Sequence, residues 1–298
     1  MNNNITKGTI LLIISALGYA GMSTFIKLSG DIPVIQKVFF RNLPCLFLAI
    51  FLLAKNKESV LGHRGNRKIL LLRGCIGTLG ALANFYAVDK LMLPNATMLN
   101  QLGPFFIIIF SFLFLKEKIK RFQIGALAIA FIGVVIILGP GSTMPIFPAF
   151  MAILGAISIG IAFTCIRYLG GKESPQTIVF WFAIVSISVG VIYMIIDYTP
   201  MTTMQTIYLL CAGICTIFGQ FGTTLAYKYA AAKDISIFGY SQVIFATIFS
   251  VLIFSQIPGE NSMIGYIIVI AAAGVSYFYN KKVDRQKIYK IYFVHKMP

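Results

Sequence analysis

Long apolar segments dominate the sequence and set the strongest limit on its fold. Ten segments of about 20 residues carry few charges, and short polar stretches separate them. A helix needs about 20 apolar residues to cross a hydrocarbon layer about 30 Å thick, and it satisfies its own backbone hydrogen bonds there. The sequence therefore predicts an all-α integral membrane protein with ten transmembrane helices, at residues 8–28, 33–54, 69–88, 94–115, 122–138, 147–168, 176–196, 205–227, 235–255 and 262–280.

Charge is scarce and lies mainly on one side of the predicted helical bundle. Charged residues make up 11% of the chain, far below the roughly 25% of soluble domains. The formal net charge is +16, and most of the 25 Lys and Arg residues fall in alternate connections, such as KEKIKR at 116–121. Basic connections of multi-pass proteins face the cytoplasm. The pattern predicts an inner-membrane protein with cytoplasmic N- and C-termini, and it argues against nucleic acid as a partner.

The residue types that commonly bind metals or catalyse reactions do not cluster in this sequence. All five Cys lie in apolar spans, where a free Cys behaves as a small hydrophobic residue. The two histidines, His63 and His295, fall in basic stretches away from the Cys residues. We therefore predict no metal site, no cofactor and no enzymatic activity.

A weak internal repeat with an offset of about 140 residues divides the chain into two halves. The stretch SALGYAGMSTFIKLSG at 15–30 aligns with GAISIGIAFTCIRYLG at 155–170, and Gly74 falls on Gly213 at nearly the same offset. Each half would hold five spans, an odd number, so the second half would insert upside down. This predicts a 5+5 inverted repeat, which often surrounds a midplane site in secondary transporters. The predicted parts are repeats at 1–140 and 141–280 and a basic cytoplasmic tail at 281–298.

Five motifs follow one another along the first half. They are IKL at the end of span one, Arg41 in span two, RGCIGTLGALANFYAV in span three, LGPFFIIIFSFLFLKEKI in span four and IGALAIAFIGVVIIL in span five. In this order they resemble the EamA-like branch of the drug/metabolite transporter superfamily, over residues 8–280. The second half departs from the pattern, because Val243 stands opposite Pro104 and Gln256 replaces a glutamate. The resemblance implies a transporter in which an arginine of span two has a role.

Arg41 and Lys37 are the main candidate substrate-binding residues. Span two starts at Pro33, so a rise of 1.5 Å per residue places Arg41 about 12 Å deep, with Lys37 one turn above it on the same face. An ionisable residue at such depth normally faces a cavity or a partner, although both side chains could instead extend toward lipid headgroups. The predicted spans contain no Asp or Glu, so both cations are expected to be unpaired and to attract a carboxylate or phosphate.

Polar side chains in other spans form a second candidate set. Amides that faced lipid would be unfavourable, so these residues should face the bundle interior, where they either contact substrate or hold helices together. Pro104 should loosen span four, as in the broken helices of transporter sites, and Glu117 should act as a structural latch or a gate. The predicted substrate contacts in this set are Asn84, Tyr86, Asn100, Gln101, Gln220, Tyr240 and Gln242.

These features together predict a secondary transporter that moves a small polar metabolite, an amino acid or a related compound, across the inner membrane by alternating access. A membrane-embedded enzyme or a channel-like protein is the alternative, although neither a catalytic constellation nor a pore-loop motif is evident. The expected partners are the small-molecule substrate and membrane lipid, and a homodimer remains open. Without an acidic residue at depth, we expect facilitated diffusion or substrate exchange instead of proton coupling.

Overall fold

The structure is a computed structural model that describes residues 3–116, 121–138, 144–169, 172–229 and 235–294. All regular secondary structure in these ranges is helical, which confirms the predicted all-α class. Two short 3₁₀ helices occur, at Arg64–Asn66 and Ser236–Tyr240. The α-helices are α1 (Asn3–Leu28), α2 (Val34–Asn56), α3 (Arg67–Lys90), α4 (Leu93–Asn100), α5 (Gly103–Leu115), α6 (Arg121–Ile137), α7 (Ile146–Leu169), α8 (Pro175–Ile196), α9 (Thr203–Tyr229), α10 (Ser241–Phe254) and α11 (Glu260–Val294).

The helices have the length and composition of a multi-pass membrane protein. Within the described residues, seven helical stretches are long and apolar enough to cross a membrane, with α4 and α5 taken as one stretch. Three shorter apolar helical stretches lie at Ile124–Ile137, Phe238–Phe254 and Glu260–Val275. Large apolar side chains remain exposed on the outside of the bundle, as at Ile195 and Leu252, and lipid chains would cover them in a membrane. All ten predicted spans are helical, and seven reach full length.

Two of the predicted spans are interrupted instead of continuous. The fourth breaks at Gln101 and Leu102, and Pro104 follows in the first turn of α5. A proline is tolerated there because its missing N–H would have no helical partner. The ninth span consists of the 3₁₀ helix Ser236–Tyr240 and then α10. That Pro104 loosens span four stays a prediction, and the ninth span changes directly from 3₁₀ to α-helix without a proline.

The ends of the helices meet in two groups, which define the two ends of the bundle. At one end, here called the basic end, His63 lies against Glu173 and the Ser59 carbonyl accepts a hydrogen bond from Thr177. At the other, here called the Asp89 end, Lys37 contacts Asp89. Helix α1 runs toward the Asp89 end and α7 runs away from it, since Pro145, just before α7, lines the same cavity as Asp89. The first helices of the two predicted halves thus run in opposite directions.

The main helix pairs join one predicted half to the other. Helix α1 packs on α9, α3 on α7, α2 on α8 and α6 on α11. In the predicted repeat, each span of the first half corresponds to the span five places later. This correspondence turns the α1–α9 pair into the α7–α3 pair, and it leaves the α2–α8 and α6–α11 pairs unchanged. A further match lies at the C-terminal ends of α5 and α10, where Lys116 and Ser255 both adopt positive φ and donate their N–H groups to the Ser111 and Ser250 carbonyls.

Two glycines predicted as repeat counterparts allow close approach of backbones. A Cβ added at Gly74 would lie 3.1 Å from the Trp181 carbonyl oxygen, and one added at Gly213 would lie 2.7 Å from the Arg41 carbonyl oxygen. Neither carbonyl belongs to a flexible side chain that could move aside. Gly74 therefore holds α3 against α8, and Gly213 holds α9 against α2.

The last helix differs from the predicted boundary. Helix α11 runs from Glu260 to Val294 without a break, whereas the sequence analysis ended the span at 280 and placed a separate tail at 281–298. The basic segment thus continues the helix as far as Val294. The composition of this segment is hydrophilic, with YNKKVDRQK at 279–287, so the helix can continue past the membrane, and the predicted end of the span at 280 stays a prediction.

Candidate functional site

Arg41 lies inside the bundle, in the third turn of α2. Its side chain is only 5% exposed. Nε donates to the Thr216 hydroxyl at 3.0 Å, Nη1 donates to the Asn42 side-chain oxygen at 2.9 Å, and Nη2 lies 3.3 Å from the Met22 sulfur. Arg41 is therefore oriented by neutral partners from α1, α2 and α9. The alternative that its side chain extends to the lipid headgroups does not describe this structure.

Arg73 is a second buried arginine that the sequence analysis missed. It was not among the predicted site residues, but it lies within α3 and is 6% exposed. Its guanidinium carbon is 4.4 Å from the centre of the Phe182 ring. Its Nε and Nη1 atoms are buried and have no hydrogen-bond partner. The signal was available in the sequence, because Arg73 falls inside the predicted span 69–88.

Aromatic rings connect the two arginines. The Arg41 guanidinium carbon lies 5.8 Å from the centre of the Phe182 ring and 5.4 Å from the centre of the Phe85 ring. Both arginines thus approach Phe182, from helices α2 and α3, at distances at which an aromatic ring attracts a cation. Phe85 and Phe182 were not among the predicted site residues, since an isolated Phe in an apolar span gives no signal of function.

The two arginines form a buried positive centre, here called the arginine centre. Among the described residues, no carboxylate pairs with Arg41 or Arg73. The groups that act electrostatically on Arg73 include Arg41 itself, which repels it, and Tyr19. A buried charge is costly unless it is paired or fully hydrogen-bonded. The arrangement is therefore chemically suited to receive an anion.

Lys37, in contrast, is paired, and the prediction that it is unpaired is wrong. Its side chain is completely buried, and Nζ lies 2.6 Å from the Asp89 carboxylate and 3.3 Å from the Ile26 carbonyl oxygen. Asp89 comes directly after the predicted span 69–88, but it is only 17% exposed and belongs to α3. The expectation of facilitated diffusion or exchange depended on the absence of a buried acid, so that argument no longer holds. Whether Lys37 contacts substrate stays a prediction.

A cavity of about 700 Å³ opens next to this ion pair at the Asp89 end. Lys27 reaches toward it and donates to the Val88 and Leu91 carbonyl oxygens. The lining carries both signs of charge, from Lys27, Lys90, Asp89 and Glu260. The cavity is thus polar and lies on the side where α1, α3 and α10 end and α11 begins.

Asn84 and Asn100 are brought together by α7. A Cβ added at Gly155 would lie 3.3 Å from the Asn100 side-chain oxygen and 3.4 Å from the Asn84 Cβ. Both amide oxygens are buried without a hydrogen-bond partner. Because buried polar atoms are rarely left unpaired, these two residues remain good candidates for contact with a polar ligand.

Gln101, Tyr240 and Gln242 connect the breaks of the fourth and ninth spans. The Gln101 amide nitrogen donates to the Gly239 carbonyl oxygen at 2.8 Å and to the Gln242 side chain at 3.3 Å. The Tyr240 hydroxyl donates to the Gln101 carbonyl oxygen at 3.2 Å. In this conformation the three residues hold the two breaks together, as intramembrane amides often do. Their contact with substrate stays a prediction.

The remaining predicted residues lie in different surroundings. Tyr86 packs edge-to-face on Phe147 with ring centres 5.6 Å apart, so its neighbour Phe85 is the residue that faces Arg41. Gln220 is half-buried in α9, one turn beyond Thr216 and therefore on the face that contacts Arg41. Glu117 lies outside the described residues. In the described part of the chain, no group of His, Cys, Asp or Glu is arranged to hold a metal ion.

The apolar bundle, its two broken spans and its buried polar centre define a multi-pass helical membrane protein. The chain belongs to the EamA-like transporter family, whose sequence profile matches residues 6–139 and 146–278. This confirms the resemblance drawn from the motifs, and it establishes the chain as a membrane transporter.

Similar proteins support this assignment. The chain is 28% identical to the pseudopaline exporter CntI of Pseudomonas aeruginosa (strain UCBPP-PA14), over 90% of this chain and 95% of the exporter. It is 24% identical to human solute carrier family 35 member G1, over 89% of this chain and 77% of that protein. A solved structure described only as "Crystal structure of protein" has a TM-score of 0.69 and 14% identity, and it covers 93% of this chain and 99% of its own. That likeness concerns the fold alone.

Proposed function

We propose that the protein is a secondary transporter of a small polar metabolite that carries a carboxylate, such as an amino acid or a related compound. The single observation that carries this proposal is Arg41, which is buried, oriented by neutral groups and without an acidic partner among the described residues. Arginine binds carboxylates through two parallel hydrogen bonds. The naming of one relative as an exporter favours outward transport.

Transport by alternating access between two inverted repeats is part of this proposal. Three observations support it: the family profile matches the two halves separately, α1 and α7 run in opposite directions, and the packing at Gly74 is repeated at Gly213. Rocking of one half against the other would open the arginine centre to the two sides in turn. Asn84, Asn100 and Gln220 would contribute neutral contacts, and the breaks at Gln101 and Tyr240 would bend.

Insertion in the inner membrane with both termini in the cytoplasm completes the proposal. It is supported by the basic residues that gather at the end of the bundle containing His63 and Glu173. Reporter fusions after residues 62 and 142 test this orientation. The first should report the cytoplasm and the second the outside, whereas a cytoplasmic signal at 142 would contradict both the orientation and the inversion.

The transport function is tested with purified protein in proteoliposomes. Labelled amino acids and related carboxylates are screened for uptake, and each active compound is then tested against its amide, which lacks the negative charge. We expect Arg41→Gln to weaken uptake of carboxylates, and Arg64→Gln, which changes an exposed arginine at the basic end, to leave it unchanged. Equal uptake by wild type and a well-inserted Arg41→Gln variant would refute the role of Arg41.

A further inference from the structure

Arg73 has buried hydrogen-bond donors without a partner, whereas each side-chain nitrogen of Arg41 has one. Each of the three guanidinium nitrogens of Arg41 has a neutral partner, namely Thr216, Asn42 or Met22. Arg73 is equally buried, yet its Nε and Nη1 have none. Nearly all buried polar groups are hydrogen-bonded in folded proteins. The Nε and Nη1 edge of the Arg73 guanidinium is therefore free to bind an acceptor that does not belong to the described residues.

The Arg73 side chain points into the bundle, so its unpaired Nε and Nη1 lie in the interior and not at the surface. Arg73 lies only two turns into α3, so its long side chain could reach the headgroups at the basic end. Instead it is 6% exposed and lies over the ring of Phe182, a buried residue of α8. Arg41 approaches the same ring. The two guanidinium carbons are therefore no further apart than the sum of their distances to the ring centre.

The charge of the arginine centre sets the charge of its ligand. Two buried cations without an acidic partner among the described residues repel each other, and a ligand with one negative charge would leave one of them uncompensated. A ligand with two negative charges would neutralise both. Two separate carboxylates suit the geometry, because each planar fork can bind one carboxylate through two hydrogen bonds.

We propose that the substrate carries two carboxylates, one bound by Arg41 and the other by the free edge of Arg73. This inference rests on the proposed transport function and adds to it the charge of the substrate and a residue that selects it. Arg41 then provides affinity for any carboxylate, and Arg73 distinguishes dicarboxylates from monocarboxylates. The Phe182 ring lies beside both sites and would contact the part of the substrate that connects the two groups.

The test measures the thermal stabilisation of purified full-length protein by matched compounds. The probes are straight-chain dicarboxylates from malonate to adipate, the monoamide of each, and aspartate and glutamate with asparagine and glutamine, at constant ionic strength. We expect dicarboxylates of the best length to bind at least about tenfold more tightly than their monoamides. Arg73→Gln should remove this preference and keep monoamide binding, whereas Arg41→Gln should weaken both.

The unligated variants separate a binding role from a structural one. Removal of an unpaired buried cation should leave the unfolding temperature unchanged or raise it, so Arg73→Gln and Arg73→Met should be at least as stable as Arg64→Gln. A marked loss of stability in both Arg73 variants would make Arg73 structural and overturn the inference. Equal binding of dicarboxylates and monoamides, stabilisation by phosphate alone, or no stabilisation by any dicarboxylate would also overturn it.

The outcomes also separate this inference from the proposed function. If carboxylate binding depends on Arg41 but dicarboxylates gain nothing and Arg73→Gln has no effect, only the second subsite is refuted. If binding of every probe is unchanged in Arg41→Gln, the carboxylate role of Arg41 fails as well.

Discussion

Two groups of buried cations in this protein differ in how their charge is balanced. Lys37 is completely buried but pairs with Asp89 at 2.6 Å. Arg41 and Arg73 are about as buried, yet no carboxylate of the described residues pairs with either. The pair is held between α2 and α3 at the Asp89 end, and the arginine centre lies deeper, among α2, α3 and α8.

This difference distinguishes a charge that supports the fold from one that is kept for a ligand. A buried ion pair satisfies itself, and loss of one partner leaves the other uncompensated. A buried cation without a partner weakens the fold, and such groups in membrane proteins mark substrate or ion pathways. We therefore expect mutations at the ion pair to affect stability first, and mutations in the arginine centre to affect binding first.

The largest effect should come from Asp89→Asn. The substitution keeps the shape of the side chain but leaves the Lys37 ammonium group buried without its counter-ion. We expect a loss of about 3–5 kcal/mol in the free energy of unfolding, measured by thermal or denaturant unfolding in detergent.

The double variant Lys37→Met with Asp89→Asn is the control for this prediction. It removes both charges, so it should be more stable than Asp89→Asn alone and close to wild type. If the single and double variants lost the same stability, the ion pair would not be the source of the effect, and the contrast with the arginine centre would disappear.

Arg41→Gln should have the opposite profile, with a large effect on binding and a small one on stability. Loss of one charge-assisted contact is expected to weaken carboxylate binding by about 1.5–3 kcal/mol, or roughly 10- to 100-fold. The free energy of unfolding should change by less than about 1 kcal/mol, because the lost hydrogen bonds are offset by removal of an unpaired buried charge. Titration of a bound carboxylate and unfolding of the same preparation measure both quantities. A variant that unfolds readily but binds normally would place Arg41 with Lys37 as a structural cation.

Gly213→Ala tests whether the arginine centre depends on the close approach of α9 to α2. The new methyl group would meet the Arg41 carbonyl oxygen and the Pro44 ring, both closer than 3 Å. We expect a destabilisation of about 1–3 kcal/mol from overpacking and weaker carboxylate binding, measured as above. Gly125→Ala is the matched control, because its added Cβ meets nothing within 4 Å. Equal stability of the two variants would show that helix approach at Gly213 is not tight.

The sequence predicts the helices well because hydrophobicity acts locally along the chain. Each predicted span coincides with helical structure, and Gly74 and Gly213, which the predicted repeat pairs, both lie close to a carbonyl oxygen of another helix. The repeat itself stays a prediction. Breaks are harder to predict, since Pro104 gave a local signal in span four and the ninth span has no proline to give one. Hydropathy does not predict the full length of α11, because a helix can continue past the point where its apolar residues stop.

The site was only partly predictable because its partners come from distant parts of the chain. Arg41 was found from its depth in an apolar span, but the pairing of Lys37 with Asp89 joins the ends of two helices and leaves no pattern in either. Arg73 was missed because it lies close to the basic connection that precedes its helix. A rule based on loop charge cannot distinguish an arginine just outside a helix from one two turns inside it, where the direction of the side chain decides its role.

The smallest effect should come from Glu173, whose ionic partner His63 is exposed, unlike the cations of the two buried groups. At the basic end, its carboxylate accepts hydrogen bonds from the Asn66 side chain at 2.7 Å and the His63 backbone N–H at 2.9 Å, and it lies 3.1 Å from the His63 ring. Burial alone would raise the pKa of Glu173, but these contacts outweigh it and lower the pKa below its usual value of 4.5.

The ionised form of Glu173 therefore stabilises the fold at neutral pH, and this contribution is lost as the pH falls below 4.5 and through the lowered pKa. The Glu173 side chain is only 2% exposed, but its ionic partner His63 is 78% exposed, and a Gln at this position can still accept the two hydrogen bonds. Glu173→Gln should therefore cost less than about 1 kcal/mol at pH 7, and the difference from wild type should vanish in acid. Unfolding temperatures between pH 3 and 7 measure this, with Asp31→Asn, an exposed carboxylate of the Asp89 end, as the control. A loss as large as that of Asp89→Asn would mean that exposure of the cationic partner does not separate the weak charge contacts of this protein from the strong ones.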